Sequence, residues 1–159
     1  MTPATAVLFV AVPPRLKFSA EEKRALKSFA TELAKRVAGG RGFTCAITND
    51  EALQNLNKTF RDRDYATDVL SFPSSSNGSG GDWGDIAISA ERAAEQAAQF
   101  GHSKLDEVRL LMLHGVLHLT GMDHEHDKGE MAQAESNWRA EFGLEKGLIE
   151  RSSGPEATP

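Results

Sequence analysis

The segment His114-Gly115-Val116-Leu117-His118-Leu119-Thr120-Gly121-Met122-Asp123-His124 carries the most decisive pattern in the chain. A helix turns about 100° per residue, so His114 and His118 fall on one face, one turn apart, where they can share an ion. A helix continued past Gly121 would carry position 124 to the far side. Gly121 supplies the stop, because glycine enters the left-handed backbone region without a Cβ penalty. His124 then folds back as a third ligand, and the segment predicts a three-histidine metal site built on the end of a helix.

Neutral imidazole is a zinc donor, and three protein ligands leave a tetrahedral ion one open position, as catalytic sites do. The spacing His-x3-His-x2-Gly-x2-His is that of the metzincin zinc proteases, but Gly115 stands where those enzymes carry their glutamate base. One Zn2+ ion serving a chemistry other than metzincin proteolysis is expected. Closure of the fourth position by Asp123 or His126 would make the zinc structural instead, and the residues leave both arrangements open. The single cysteine, Cys45, is remote in sequence.

Ser103, followed by Asp106, opens the helix that leads into this segment. Val108, Leu110, Leu111, Met112, Leu113, Val116, Leu117 and Leu119 make that helix apolar nearly all round, which predicts a central, buried position. Ligands on a packed helix are held rigidly, and a low-dielectric wall strengthens the ion's effect on bound water. Downstream, Asp127 with Glu130 opens a last helix through Met131, Ala134, Trp138 and Phe142, ended by Gly143. Residues 152–159 are rich in Ser, Gly, Pro, Glu and Thr and are expected to form a disordered tail. Residues 1–151 then form a single domain.

Upstream, Val7 to Val12 reads as a strand stopped by Pro13-Pro14. Ser19 and Glu22 form a capping box for a helix whose stripe is Ala25, Phe29, Leu33 and Val37. Phe43 to Thr48 is a second strand, and Thr48 or Asn49 caps a helix running through Leu53 and Leu56 toward Phe60. The first half of the stretch Arg61 to Pro73 is polar and loop-like, and Thr67 to Phe72 is a strand stopped by Pro73. Ser74 to Gly84 is a Ser/Gly-rich flexible connection without a P-loop pattern. It leads to a strand at Asp85 to Ile88, after which Ser89 caps a helix carrying Ala93, Ala94, Ala97 and Phe100 and ending at Gly101. Arg61 and Arg63 stand near a strand end, where a guanidinium either contacts phosphate or pairs with Asp62, Asp64 or Asp68.

Over 159 residues the chain is 40% hydrophobic and 26% charged, the ordinary balance of a globular protein. One cysteine excludes an internal disulfide framework, so nothing calls for an oxidising compartment. The N-terminus lacks the basic start of a signal peptide, and the apolar run from Ala4 to Val12 is too short to span a bilayer, so a cytoplasmic location without a membrane partner is expected. A net charge of -5 does not suggest nucleic-acid binding, yet residues 1–64 carry +4 and residues 65–159 carry -9. That asymmetry fits a basic face for an anionic substrate, or a solvated surface with no partner.

Together these segments resemble the YbeY family of bacterial endoribonucleases over roughly residues 5–145. The likeness rests on His-Gly-x-Leu-His-Leu-x-Gly-x-Asp-His from His114 to His124, on Leu56-Asn57 and Arg61, on Thr67-Asp68-Val69-Leu70-Ser71-Phe72-Pro73, and on Gly84-Asp85-Ile86. Phe60 and Ala66 depart from the family, which usually carries Tyr and Pro there. The resemblance implies an α+β fold, a small mixed four-stranded sheet with surrounding helices and a central buried metal-site helix. It implies zinc on His114, His118 and His124 and a catalytic role for Arg61.

The activity it implies is a single-strand-specific, metal-dependent endoribonuclease acting in rRNA processing, at the 3′ end of 16S rRNA, and in ribosome maturation and quality control. Its implied partners are single-stranded RNA, rRNA and the ribosome or ribosome-associated proteins, with no DNA. Zinc would lower the pKa of its water or polarise a phosphoryl oxygen, while Arg61 neutralises charge on the phosphate. The attacking group is either that water or the RNA 2′-hydroxyl, and Asp123 is the candidate base or orienting carboxylate. Two other classes stay open: a metal-dependent hydrolase of another substrate, and a ribosome-associated factor with a structural zinc.

Overall fold

Alternation along four short strands divides the sheet into two unequal faces. The computed structural model describes residues 5–65, 67–74 and 82–144. Its strands are β1 (Ala6–Phe9), β2 (Thr44–Thr48), β3 (Val69–Pro73) and β4 (Gly84–Ser89), in the spatial order β1-β2-β4-β3. β1, β2 and β4 run parallel, and β3 is the antiparallel edge. Successive strand residues point to opposite faces. Val7, Cys45, Ile47, Ile86 and Ile88 accordingly enter the main core, while Leu70 and Ala87 join a smaller cluster behind it.

Among the described residues, five α-helices cover these faces: α1 (Ala20–Arg36), α2 (Asp50–Arg61), α3 (Ala90–Phe100), α4 (Lys104–Leu119) and α5 (Glu130–Glu141). The α+β fold with a small mixed four-stranded sheet is therefore as expected. α4 is the central helix, packed against α1, α3, α5, β3 and β4. Eleven of its residues are buried, His114 and Gly115 among them. α2 lies on the other face, where Leu53 and Leu56 cover Leu70 and Ala87.

The helix starts follow local chemistry. Ser19 Oγ accepts from Glu22 N at 3.0 Å and Glu22 Oε1 accepts from Ser19 N at 2.8 Å, closing the capping box. Asn49, rather than Thr48, caps α2 by accepting from Ala52 N at 2.8 Å. Ser89 and Ser103 cap α3 and α4 by accepting from Arg92 N and Asp106 N. The buried stripe of α1 is Leu26, Phe29, Ala30, Leu33 and Ala34, with Ala25 on its flank.

Other boundaries moved. β1 stops at Phe9, not Val12, because Ala11 turns into the left-handed region at φ 53° before the prolines are reached. Val10 is 51% exposed as a result. Pro73 does not stop β3 but ends inside it, paired with Gly84. An edge strand tolerates a residue without N–H where a central strand does not. α5 starts at Glu130 after Gly129 at φ 104°, and Asp127 still serves its first turn by accepting from Met131 N at 2.9 Å. Ala66, most of the Ser/Gly connection and the 152–159 tail lie outside the described residues.

Opposite Pro73, Gly84 adopts φ +136°, and a Cβ there would stand 2.2 Å from Phe72 O and 2.8 Å from Ser74 N, both main-chain atoms. Backbone cannot yield as a side chain does, so Gly84→Ala should cost at least about 2 kcal/mol. Urea unfolding should show a lower midpoint at unchanged slope. A variant as stable as the parent would show that the β3–β4 junction is not built this tightly.

Candidate metal centre

The end of α4 is closed by a pair of turn hydrogen bonds. Gly121 at φ 104° donates through N–H to His118 O at 3.0 Å, and Met122 N–H donates to Leu117 O at 3.1 Å. Satisfying these last carbonyls with a left-handed glycine is the common way to stop a helix and reverse the chain. The reversal returns His124 to the helix face, as the spacing required. The ring centroids of His114, His118 and His124 lie 4.8, 5.4 and 5.5 Å apart, and their ligand nitrogens fall within 4.8 Å of one another.

Two imidazoles are held by their other nitrogen. His114 Nδ1 lies 2.7 Å from Glu135 Oε2, and His118 Nδ1 lies 3.0 Å from Met122 O. Carboxylate and carbonyl both accept, so each Nδ1 carries the proton and each Nε2 keeps its lone pair for an ion. Burial, then the neighbouring His114, pushes the His118 imidazole below the ordinary histidine range, which favours the neutral donor form. His124 Nδ1 is buried and has no hydrogen-bond partner among the described residues. A buried polar atom in that condition beside two prepared donors marks a place suited to an ion. The donor set therefore fits one divalent ion held by three neutral nitrogens.

Neither proposed fourth ligand joins this cluster among the described residues. His126 is 79% exposed and hydrogen-bonds Asp123 Oδ2 at 2.6 Å. Asp123 Oδ1 accepts from Glu125 N, so both carboxylate oxygens serve their own loop. The His126 bond, then the Glu125 N–H, holds the Asp123 carboxyl below its usual range, which makes it a weak proton acceptor. Cys45 faces the core from β2, its thiol pushed up to about 12 by burial, and takes no part.

Gly115 has a packing reason. A Cβ there would meet three Ile86 side-chain atoms at 3.0–3.2 Å, and the Ser71 hydroxyl donates to Gly115 O at 3.1 Å. The position that bears a glutamate in metzincins thus points at β4, and no carboxylate can act from it.

Arg61 is the last residue of α2. Asp62 leaves the helix at φ 54°, and buried Asn57 ties the loop beyond by donating through Nδ2 to Tyr65 O at 3.0 Å. Arg61 Nη2 donates to Ser71 O on the edge strand β3 at 2.7 Å. No ion pair joins Arg61 to Asp62, Asp64 or Asp68 among the described residues. Arg63 meets the Tyr65 hydroxyl at 3.2 Å instead. A cleft of about 460 Å³ brings Arg61 together with His114, His118 and His124, and Asp68, Ser71 and Asp123 also line it.

Sequence reasoning did not find Glu135. It sits four residues after Met131 on the inward side of α5 and is 1% exposed. A carboxylate placed within an apolar stripe, in a chain with an unsatisfied histidine motif, is the signal that could have found it.

The YbeY family profile, described as Endoribonuclease YbeY, matches residues 15–143. Endoribonuclease YbeY of Solibacter usitatus is 55% identical over 127 residues, covering 80% of this chain and 84% of that protein. The protein of that name from Koribacter versatilis is 46% identical, covering 87% of this chain and 90% of its own. A solution structure from Thermotoga maritima shares the fold with a TM-score of 0.56 at 24% identity, covering 86% of this chain and 91% of that one.

Glu135→Gln keeps the shape and the acceptor at His114 but removes the charge. Loss of such an orienting carboxylate should weaken zinc binding roughly 10- to 100-fold while the far-ultraviolet circular dichroism stays the same. Competition against a chromophoric chelator measures it, and unchanged affinity would separate Glu135 from the metal centre.

Proposed function

The chain belongs to the YbeY endoribonuclease family, and from that membership we propose a zinc-dependent endoribonuclease that cuts single-stranded RNA during rRNA maturation, in association with the ribosome and in the cytoplasm. Its substrate class is RNA, as the names of its relatives state of those proteins. The observation that carries the reading is the shared cleft: three imidazoles aimed at one point, with a guanidinium free of acidic partners among the described residues on the same wall. No helix among the described residues is long and apolar enough to cross a membrane.

A divalent ion bound there would supply Lewis-acid chemistry toward the phosphodiester and lower the pKa of water. His114, His118 and His124 would hold it, with the His114 ring oriented by Glu135 and the His118 ring by the Met122 carbonyl. Arg61 sets the phosphate. Its guanidinium is already tethered at the edge of β3 by Ser71 O, so little reorganisation is needed when charge develops on a non-bridging oxygen. Asp123, held ionised by its own loop, shapes the cleft without serving as the base.

The test is cleavage of an end-labelled single-stranded RNA by the zinc-loaded protein. The parent should cut it, and His118→Ala should fall to background with its fold retained. Arg61→Ala should lose about 100-fold or more in rate while keeping its zinc. Equal cleavage by the parent and His118→Ala would remove the metal site from the reaction, and full activity in Arg61→Ala would remove its phosphate role.

A further inference from the structure

A second concavity shares a wall with the metal cleft and has no part in the chemistry above. α2 covers the far face of the sheet through Leu53 but ends at Arg61, leaving the part of that face nearer Thr44, Asp85 and Phe72 open. The resulting groove has a volume of about 800 Å³, enough for a nucleobase, and Leu56 and Phe60 line its helical side. Arg61, Ser71 and Pro73 line both the groove and the metal cleft. The two therefore meet at β3, with the imidazoles on one side of the strand and the groove on the other.

Phe60 is the feature that most needs an occupant. It is 65% exposed although its ring already meets Phe72, with centroids 5.5 Å apart at 65°. A large apolar ring left in water beside an open groove offers a flat face for stacking, and every nucleobase has a complementary π-face. Arg61 connects this surface to the backbone path, since its guanidinium carbon lies 5.7 Å from the centre of the Phe72 ring while Nη2 holds β3. Polarity orients the strand. Asp85, paired in register with both Thr44 and Phe72, puts a carboxylate in the groove, which repels phosphate there and leaves the Arg61 wall as the anionic path. Partial burial, then Asp82, raises the Asp85 carboxyl above its usual range, in keeping with a floor poorly suited to further negative charge.

We propose that this groove is a nucleobase subsite: RNA crosses the β3 edge with one phosphate at Arg61, and the adjoining base turns into the groove and stacks on Phe60. The subsite rests on the endoribonuclease reading and adds a site for substrate binding away from the metal. Phe60 acts on the base, not on the reacting atoms, so it contributes to recognition and to the choice of the bond that is cut.

The experiment uses zinc-loaded protein and a single-stranded RNA whose cut site has been mapped, together with derivatives carrying one abasic ribose at each position flanking that site. Stacking on an aromatic side chain corresponds to about a 5- to 150-fold effect per base. For the parent, one abasic position next to the cut should lower kcat/KM by a factor in that range. Phe60→Ala should lose a similar factor on intact RNA and respond less than twofold to that same abasic change. Phe60→Tyr, which keeps the ring, should behave as the parent. The exposure of Phe60 makes truncation harmless to the core, and circular dichroism of each variant checks this. Equal cleavage of every abasic RNA by the parent would overturn the subsite. So would an undiminished abasic effect in Phe60→Ala, which would place the contact to that base away from Phe60. If the parent cuts no RNA at all, the endoribonuclease reading falls and the subsite with it.

Discussion

The abrupt end of α4 is the constraint on which the site depends. His114 and His118 need only a continuous helix, but His124 reaches them only if the chain reverses within one turn. Gly121 in the left-handed region makes that reversal, and the hydrogen bonds from Gly121 and Met122 satisfy carbonyls that a buried helix end would otherwise leave bare. The turn has a second use. Met122 presents its carbonyl to His118 Nδ1, so the segment that ends the helix also fixes the tautomer of a ligand one turn back.

Around that turn, the rest of the fold acts as a holder. β4 sets the depth of α4 through the close approach of Gly115 to Ile86, and α5 brings a buried carboxylate to His114. β3, as the edge strand, offers the main-chain oxygen that positions Arg61 from the opposite layer. The site is thereby assembled from α2, β3, α4, α5 and the loop after α4. α4, its loop and α5 follow one another in sequence, while α2 and β3 join them through packing.

Features with local causes were legible in the sequence. Capping serines at 19, 89 and 103, the apolar circumference of α4 and the stop at Gly121 all act within a few residues of themselves, and each stands where it was expected. What was misjudged depends on neighbours far along the chain. Pro73 reads as a strand terminator until the sheet order makes β3 an edge. Val10 to Val12 reads as strand until Ala11 turns, a bend that apolar composition does not reveal. Asp123 lies beside a ligand in sequence and reads as a candidate base or orienting group; its carboxylate bonds His126 and the Glu125 N–H, and the carboxylate at a ligand comes from Glu135, 21 residues from His114. Sequence proximity is a poor guide to the atoms around a metal ligand because the returning helix, rather than the adjacent loop, faces the buried ring.

The most direct test of this account is X-ray absorption at the zinc edge of the metal-loaded protein. Three imidazole nitrogens at about 2.0–2.1 Å, one light atom completing the shell, and a single zinc per chain are what the geometry predicts. A shell containing sulfur, or one in which fewer than three imidazoles contribute, would contradict the three-histidine centre and the functional reading built on it.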